Sequence, residues 1–200
     1  CIAGELIKKL NLKIKYFYTS YQLRSIDTLK LIINTINIRP KNIIKAWQLN
    51  ERHYGSLTGL NKDEIKKKLG EEEVIKFRRS WDKPPKPLNP NSPYHPKNIK
   101  IYDDIPRYLI PDTESLKDTY ERVVPYYIEN IEKNLQDNVI ISAHGNSIRS
   151  LLKYLFKIDI KDISKLEIPT GNPLLLKFER NNLKEARYLD ESRSKDLIKF

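Results

Sequence analysis

The sequence predicts an α/β protein in which strands alternate with helices and lie in a largely parallel sheet covered on both faces. Three stretches carry that prediction. Val139-Ile140-Ile141 reads as a buried strand, followed by a turn at His144-Gly145-Asn146 and a helix presenting Ile148, Leu151, Leu152 and Leu155. Ile14-Lys15-Tyr16-Phe17-Tyr18 is short and aromatic, and runs through Thr19-Ser20 into a segment where Leu23, Ile26, Leu29, Ile33 and Ile36 recur at helical spacing. Leu174-Leu175-Leu176-Lys177-Phe178 forms a further strand after the breaker-rich Ile168-Pro169-Thr170-Gly171-Asn172-Pro173. Sheets of this kind bind ligands beyond the carboxyl ends of their strands.

The other elements follow from the same periodicities. Ala3, Leu6, Ile7 and Leu10 give a short helical pattern at the start of the chain, and residues 61–80 are charged and helical in pattern. Eight of the twelve prolines fall between Pro84 and Pro111, which excludes regular helix and leaves an irregular excursion over 83–112. Its apolar residues, among them Tyr94, Ile99, Tyr102 and Leu109, make it an expected cover over a site rather than a linker. Leu116, Tyr120, Val123, Val124, Tyr127 and Ile131 form the face of a helix capped by Asp112 or Thr113 and bent at Pro125. Residues Arg187 to Phe200 are polar enough to fray. Two hundred residues with 39% hydrophobic content suit one domain spanning 1–200.

A net charge of +11 invites nucleic acid or a membrane surface as a partner. The distribution argues against both, because 26 Lys outnumber 11 Arg and are scattered in runs such as Lys66-Lys67-Lys68 rather than along one face. The single cysteine, Cys1, allows no internal disulfide, and no stretch approaches the roughly 18 apolar residues of a membrane span. A soluble, cytoplasmic protein is the expectation. Three histidines and one cysteine offer no metal-ligand spacing, so no metal is expected. The sequence contains no Met, and its first residues are expected to follow a segment that was cut or processed.

Three clusters carry chemistry. His144, Gly145 and Asn146 stand where a strand ends and a helix begins, and helix amino termini bind anions through free N–H groups and the helix dipole. Glu51, Arg52, His53 and Tyr54 place a carboxylate, a guanidinium, an imidazole and a phenol within four residues, so a general acid and base can sit beside a phosphate clamp. Spacing alone favours the plainer reading of a surface turn with an ion pair. Arg78 and Arg79, flanked by Phe77 and Trp81, form the third; adjacent Arg reach one ligand only at a helix end, so on their own they read as a solvated face.

Taken in order, Leu49-Asn50-Glu51-Arg52-His53-Tyr54-Gly55, Gly59-Leu60-Asn61-Lys62, Arg78-Arg79-Ser80, Thr113-Glu114-Ser115-Leu116-Lys117-Asp118, Ala143-His144-Gly145-Asn146-Ser147 and Ile168-Pro169-Thr170-Gly171 resemble the 2,3-bisphosphoglycerate-dependent phosphoglycerate mutases of the histidine phosphatase superfamily. The similarity runs from about residue 3 to residue 180. It implies a three-layer α/β/α sandwich and the glycolytic interconversion of 3-phosphoglycerate and 2-phosphoglycerate, primed by 2,3-bisphosphoglycerate. Glu51 matches the proton donor and acceptor, and His144 the histidine that stabilises the transferring phosphoryl group. Arg24, Arg52, His53, Tyr54, Lys62, Arg78, Arg79, Gly145 and Asn146 match substrate-binding positions. A homodimer or homotetramer is implied as well.

The sequence departs from that family at its start, since the Arg-His-Gly motif that carries the phosphorylated histidine, on a strand central to the sheet, is absent from these 200 residues. On their own they are therefore expected to be inactive and to fold poorly. Two other readings stand beside the mutase: a bisphosphoglycerate synthase or phosphatase, and a catalytically inactive anion-binding module.

Overall fold

The computed structural model describes residues 1–61, 67, 70, 77 and 80–194. The helical pattern read over 61–80 lies mostly outside these residues. Helix α1 (Ile2–Lys8) leads to strand β1 (Ile14–Thr19), helix α2 (Leu23–Ile36) and the short strand β2 (Ile44–Lys45). After the Pro-rich stretch come α3 (Leu116–Tyr126), β3 (Asn138–Ser142), α4 (Gly145–Leu155) and the single turn α5 (Ile160–Ile163). A hairpin of β4 (Leu174–Glu179) and β5 (Asn182–Tyr188) follows.

Among the described residues the sheet is in two pieces. Strands order as β2-β1-β3, all parallel, and β4 pairs with β5 alone in the antiparallel sense. Because successive strand side chains face opposite ways, Phe17 and Tyr18 divide the core between them. Phe17 packs with Leu29 and Ile33 of α2, while Tyr18 packs with Leu49, Val123, Tyr127, Ile131 and Leu151 on the other face. That split is the physical content of an α/β/α sandwich, with α2 on one side and α3 and α4 on the other.

Parallel registry then brings the functional segments together. Thr19 stands opposite Ser142 of β3 and Lys45 of β2, so all three strands end at one level. Small hydroxyls fasten that level to α2: Thr19 Oγ1 and Ser25 Oγ share a 2.6 Å hydrogen bond, Ser142 Oγ donates to the Ser25 carbonyl at 3.0 Å, and Ser25 Oγ donates to the Ser142 carbonyl.

The excursion over 83–112 is irregular, as its prolines require, with 3-10 turns at Pro96–Asn98, Lys100–Tyr102 and Arg107–Leu109. One end is tied to the loop after β2 and the two ends are tied to each other. Ser56 N donates to the Lys86 carbonyl at 2.8 Å and Thr113 Oγ1 to the Pro85 carbonyl at 2.8 Å.

Helix α3 differs from expectation at both ends. Its cap is Ser115, which shares a capping box with Asp118, not Asp112 or Thr113. Those two are engaged elsewhere: Thr113 with Pro85, and Asp112 with Lys97 and His95. The α-helix stops one residue after Pro125 and continues as a π-turn over Tyr127–Ile131. The expectation of fraying is corrected at its start, because Arg187 and Tyr188 complete β5 and pair with Leu175 and Leu174, while residues 195–200 lie outside the described residues.

Candidate active site

A cleft of about 750 Å³ opens beside the strand ends, lined in part by Arg24, Glu51, Arg52, His53, Tyr54 and Tyr102. Two segments the sequence had singled out separately meet here. The loop carrying Glu51 follows β2, and the amino end of α4 follows β3. Glu51 Oε1 accepts from Arg52 N at 2.8 Å and from Asn146 N, in the first turn of α4, at 3.3 Å. The Glu51 carboxylate is thus held by two backbone N–H groups, one of them at a helix amino terminus, an arrangement that suits its charge. Among the described residues no donor reaches Oε2. That oxygen lies 4.0 Å from where a Cβ on Gly145 would sit, with nothing else within that radius of the position.

Arg52 is 2% exposed, yet its hydrogen bonds are incomplete. Nη2 donates to the Phe77 carbonyl at 2.8 Å, and the guanidinium lies 4.7 Å from the centroid of the Tyr54 ring. Nε and Nη1 are buried without a partner among the described residues. Buried guanidinium nitrogens left free cost stability unless an anion completes them. His53 tells a similar story, since Nδ1 accepts from Gly55 N at 3.1 Å, which leaves the proton on a buried Nε2 without a partner among the described residues. Burial pushes the His53 imidazole down to about 4, partly offset by the Glu114 carboxylate, so the ring is neutral at physiological pH.

His144 is buried, and its Nε2 shares a 2.8 Å hydrogen bond with Ser20 Oγ, which also accepts from Gln22 N at 3.1 Å. Burial is the larger cause, and the positive charges of Arg24 and Arg122 a second one, for an imidazole pushed down to about 4. An entering anion would offset both. His144 is also the residue at which α4 begins, with its N–H on Ser147 Oγ at 3.2 Å. Asn146 is oriented from both sides: Oδ1 accepts from Arg149 Nη1 at 2.6 Å and Nδ2 donates to the Tyr54 hydroxyl at 2.8 Å. With its oxygen accepting, Tyr54 keeps its own proton to donate.

The structure gathers Glu51, Arg52, His53, Tyr54 and the exposed Arg24 in the cleft wall, brings Gly145 and Asn146 against the Glu51 loop from α4, and ties His144 to that loop through Ser20 and Gln22. Lys62, Arg78 and Arg79 lie outside the described residues. Sequence reasoning passed over Ser20, which bonds His144, and Gln22, Glu114 and Arg122, which line the cleft and hold the Glu51 loop. The only signal for Glu114 was its place in the Thr113-to-Asp118 segment. His95, the third histidine, is fully buried in the Pro-rich stretch with both ring nitrogens occupied, by Asp112 Oδ1 at 3.0 Å and Lys97 N at 3.2 Å.

The sequence matches the histidine phosphatase superfamily (branch 1) over residues 2–95 and 91–191. It is 59% identical to the 2,3-bisphosphoglycerate-dependent phosphoglycerate mutase of Pelagibacter ubique (strain HTCC1062), across 100% of this chain and 85% of that one. The chain belongs to the 2,3-bisphosphoglycerate-dependent phosphoglycerate mutases of that superfamily. The enzyme of the same description from Maricaulis maris (strain MCS10) is 44% identical across 98% of this chain and 82% of its own. Among solved structures, a mycobacterial glucosyl-3-phosphoglycerate phosphatase shares the fold with a TM-score of 0.65 at 16% identity, covering 94% of this chain and 80% of the other. Bacillus stearothermophilus YhfR does so with a TM-score of 0.61 at 16% identity, covering 91% and 77%.

Proposed function

We propose that the protein interconverts 3-phosphoglycerate and 2-phosphoglycerate, with 2,3-bisphosphoglycerate as primer, and that Glu51 and His144 serve the transfer. The observation that carries this reading is the pairing, in one cleft, of a Glu51 Oε2 with two buried donors on Arg52, all three without a partner among the described residues. A carboxylate flanked by unfilled cationic donors fits a phosphorylated hydroxy acid, which brings both a proton to move and oxygens to grip.

Glu51 Oε2 would take the proton of the acceptor hydroxyl as that oxygen bonds to phosphorus and the bond from phosphorus to the donor histidine's nitrogen breaks, and would return the proton in the reverse step. Arg52 Nε and Nη1, His53 Nε2 and the Tyr54 hydroxyl would donate to substrate oxygens, with Arg24 adding charge at the cleft wall. His144 Nε2 would exchange Ser20 for an equatorial phosphoryl oxygen. Gly145 and Asn146 offer the helix amino terminus, and the resemblance adds Lys62, Arg78 and Arg79. The bisphosphate supplies the phosphoryl group that charges a histidine, and the resemblance places that histidine on an Arg-His-Gly segment these 200 residues do not contain.

The Pro-rich stretch contributes Tyr94, Ile99, Tyr102, Ile105, Leu109 and Ile110 to the cleft, which supports its role as an active-site cover within one phosphoglycerate mutase-like domain. No helix among the described residues is long and apolar enough to cross a membrane, and no cluster of metal-ligating side chains occurs among them. We extend the reading to a cytoplasmic homodimer or homotetramer that needs no metal. The test is a coupled mutase assay on the protein expressed from its complete coding sequence. Turnover should persist in chelator and depend on the bisphosphate. Full activity without primer would overturn the proposal, and net accumulation or hydrolysis of the bisphosphate would favour a synthase or phosphatase.

A further inference from the structure

Beside the Glu51 loop, in the wall of the same cleft, stands a mostly buried ion pair. Arg122 on α3 and Glu114 just before it have side chains 10% and 4% exposed. Arg122 Nε and Nη2 donate to the two Glu114 carboxylate oxygens at 2.6 and 2.9 Å. The remaining donors go to backbone carbonyls of the loop: Nη1 to Gln48 at 2.6 Å and Nη2 to Glu51 at 3.3 Å. Glu114 adds a two-way clamp on His53, accepting from its N at 2.8 Å and donating its own N–H to the His53 carbonyl at 2.9 Å. Together the pair holds residues 48, 51 and 53 from one side.

The contact with the Glu51 carbonyl matters most. In a trans peptide the C=O and the following N–H point in opposite directions. Arg122 binds the carbonyl of the Glu51–Arg52 peptide, and the N–H of that same peptide donates back to Glu51 Oε1 at 2.8 Å. The guanidinium therefore fixes the plane whose far side immobilises one carboxylate oxygen and leaves the other free. Gln22 Oε1, accepting from Glu51 N at 3.2 Å, fixes the preceding peptide.

We propose that Arg122 is a positioning residue for Glu51, acting through the Glu51–Arg52 peptide group and locked in place by Glu114. The proposal rests on the reading of Glu51 as the acid and base. A lysine cannot replace Arg122, because a single nitrogen cannot reach the Glu114 carboxylate and two carbonyls at once. A residue that only stabilised the fold would weaken the protein without singling out the chemical step.

The test uses the protein from its complete coding sequence in four forms: wild type, Arg122→Lys, Glu51→Gln and the double variant. Arg122→Lys should lower kcat about 10- to 100-fold with KM within about threefold, as expected when a transition-state contact is displaced. In the Glu51→Gln background the same change should alter kcat by less than about threefold, since its effect runs through the absent carboxylate. Fully additive losses, or a raised KM with unchanged kcat, would overturn the positioning role. Wild-type turnover in Glu51→Gln would instead overturn the acid–base reading itself. If Arg122→Lys does not fold by circular dichroism, Glu114→Gln, which keeps the shape of the lock, must show the same kcat-selective loss. Where the residual turnover of Glu51→Gln is too low to compare, the division between kcat and KM decides.

Discussion

Asn146 Nδ2 donates to the Tyr54 hydroxyl at 2.8 Å, a contact between residues 92 positions apart that joins the first turn of α4 to the Glu51 loop. Arg149 sets the direction of that amide by donating to its oxygen at 2.6 Å. The chain is Arg149 to Asn146 to Tyr54, and it ends on a phenolic proton pointing nowhere else among the described residues.

Changing one member should act on binding through that proton. Asn146→Asp replaces the donor with a second acceptor, so the Tyr54 proton turns inward to the new carboxylate and is lost to the substrate. KM for phosphoglycerate should rise about tenfold or more, matching a lost hydrogen bond to a charged group of roughly 1.5–3 kcal/mol. Tyr54→Phe should give an effect of similar size. Steady-state kinetics decide the matter, and an unchanged KM in both variants would show that the phenol does not touch substrate.

The pairing of charge with burial gives a second expectation. Arg52→Lys keeps a positive charge but loses both the fork and the stacking on Tyr54. Lys67 is exposed, and its loss removes the same unit of charge from solvent. Arg52→Lys should weaken phosphoglycerate binding at least tenfold while Lys67→Ala leaves it unchanged. Equal effects in a binding titration would mean that bulk charge governs affinity.

Stability should fall as the medium is acidified from pH 7 to pH 4. His53 and His144 are both pushed down to about 4 from an ordinary 6.5, so the unfolded chain binds protons in that window and the folded chain does not. The native state is therefore favoured above pH 6.5, and the advantage is lost as pH falls toward 4. Each histidine accounts for at most about 3 kcal/mol, less once solvent screening at the cleft is counted. Urea midpoints at pH 7 and pH 5 measure the fall. His53→Asn should flatten it, and an identical slope in that variant would remove His53 as a cause.

The parts of the site that were legible in the sequence are contiguous ones. Glu51 to Tyr54 and His144 to Asn146 advertise themselves because their groups stand side by side at a strand end. Arg122 does not, because it acts on a carbonyl 71 residues away and resembles any solvated helix arginine in a one-dimensional reading. Ser20 was hidden for the same reason, bonded to a ring 124 residues distant. In the fold, β1, α2, β3 and α4 follow from apolar periodicity, whereas β5 reads Asn-Leu-Lys-Glu-Ala-Arg-Tyr, mostly polar and without a regular alternation. Its turn was equally disguised. Arg180 and Asn181 both take positive φ, 48° and 63°, in a two-residue hairpin position where glycine is the usual signal. The Ser115 cap lost out to Asp112 and Thr113 in sequence because nothing local shows that those two are already occupied.

The two glycines beside Glu51 should separate stability from function. At Gly55, φ is +54° and a Cβ would sit 2.1 Å from the Lys86 carbonyl oxygen, backbone that cannot turn aside. A left-handed conformation costs an L-residue roughly 1–2 kcal/mol, and the overlap adds about 1–3 more. Gly55→Ala should therefore push the base of the Pro-rich stretch away from the Glu51 loop and lower the melting temperature by several degrees. Gly145 is different, because its Cβ would meet only Glu51 Oε2, at ordinary contact distance. In the first turn of α4, alanine removes backbone freedom from the unfolded chain and should leave stability equal or raised by up to about 1 kcal/mol. The added methyl nevertheless occupies the space between a helix amino terminus and the free carboxylate oxygen, where the substrate's reacting group is expected. Gly145→Ala should keep or raise the melting temperature while lowering kcat/KM about tenfold or more. Thermal melts and mutase kinetics on the two variants test the contrast. A Gly145→Ala protein with unchanged kinetics would move the reacting group away from α4, and a Gly55→Ala protein with an unchanged melt would show that the Lys86 carbonyl yields.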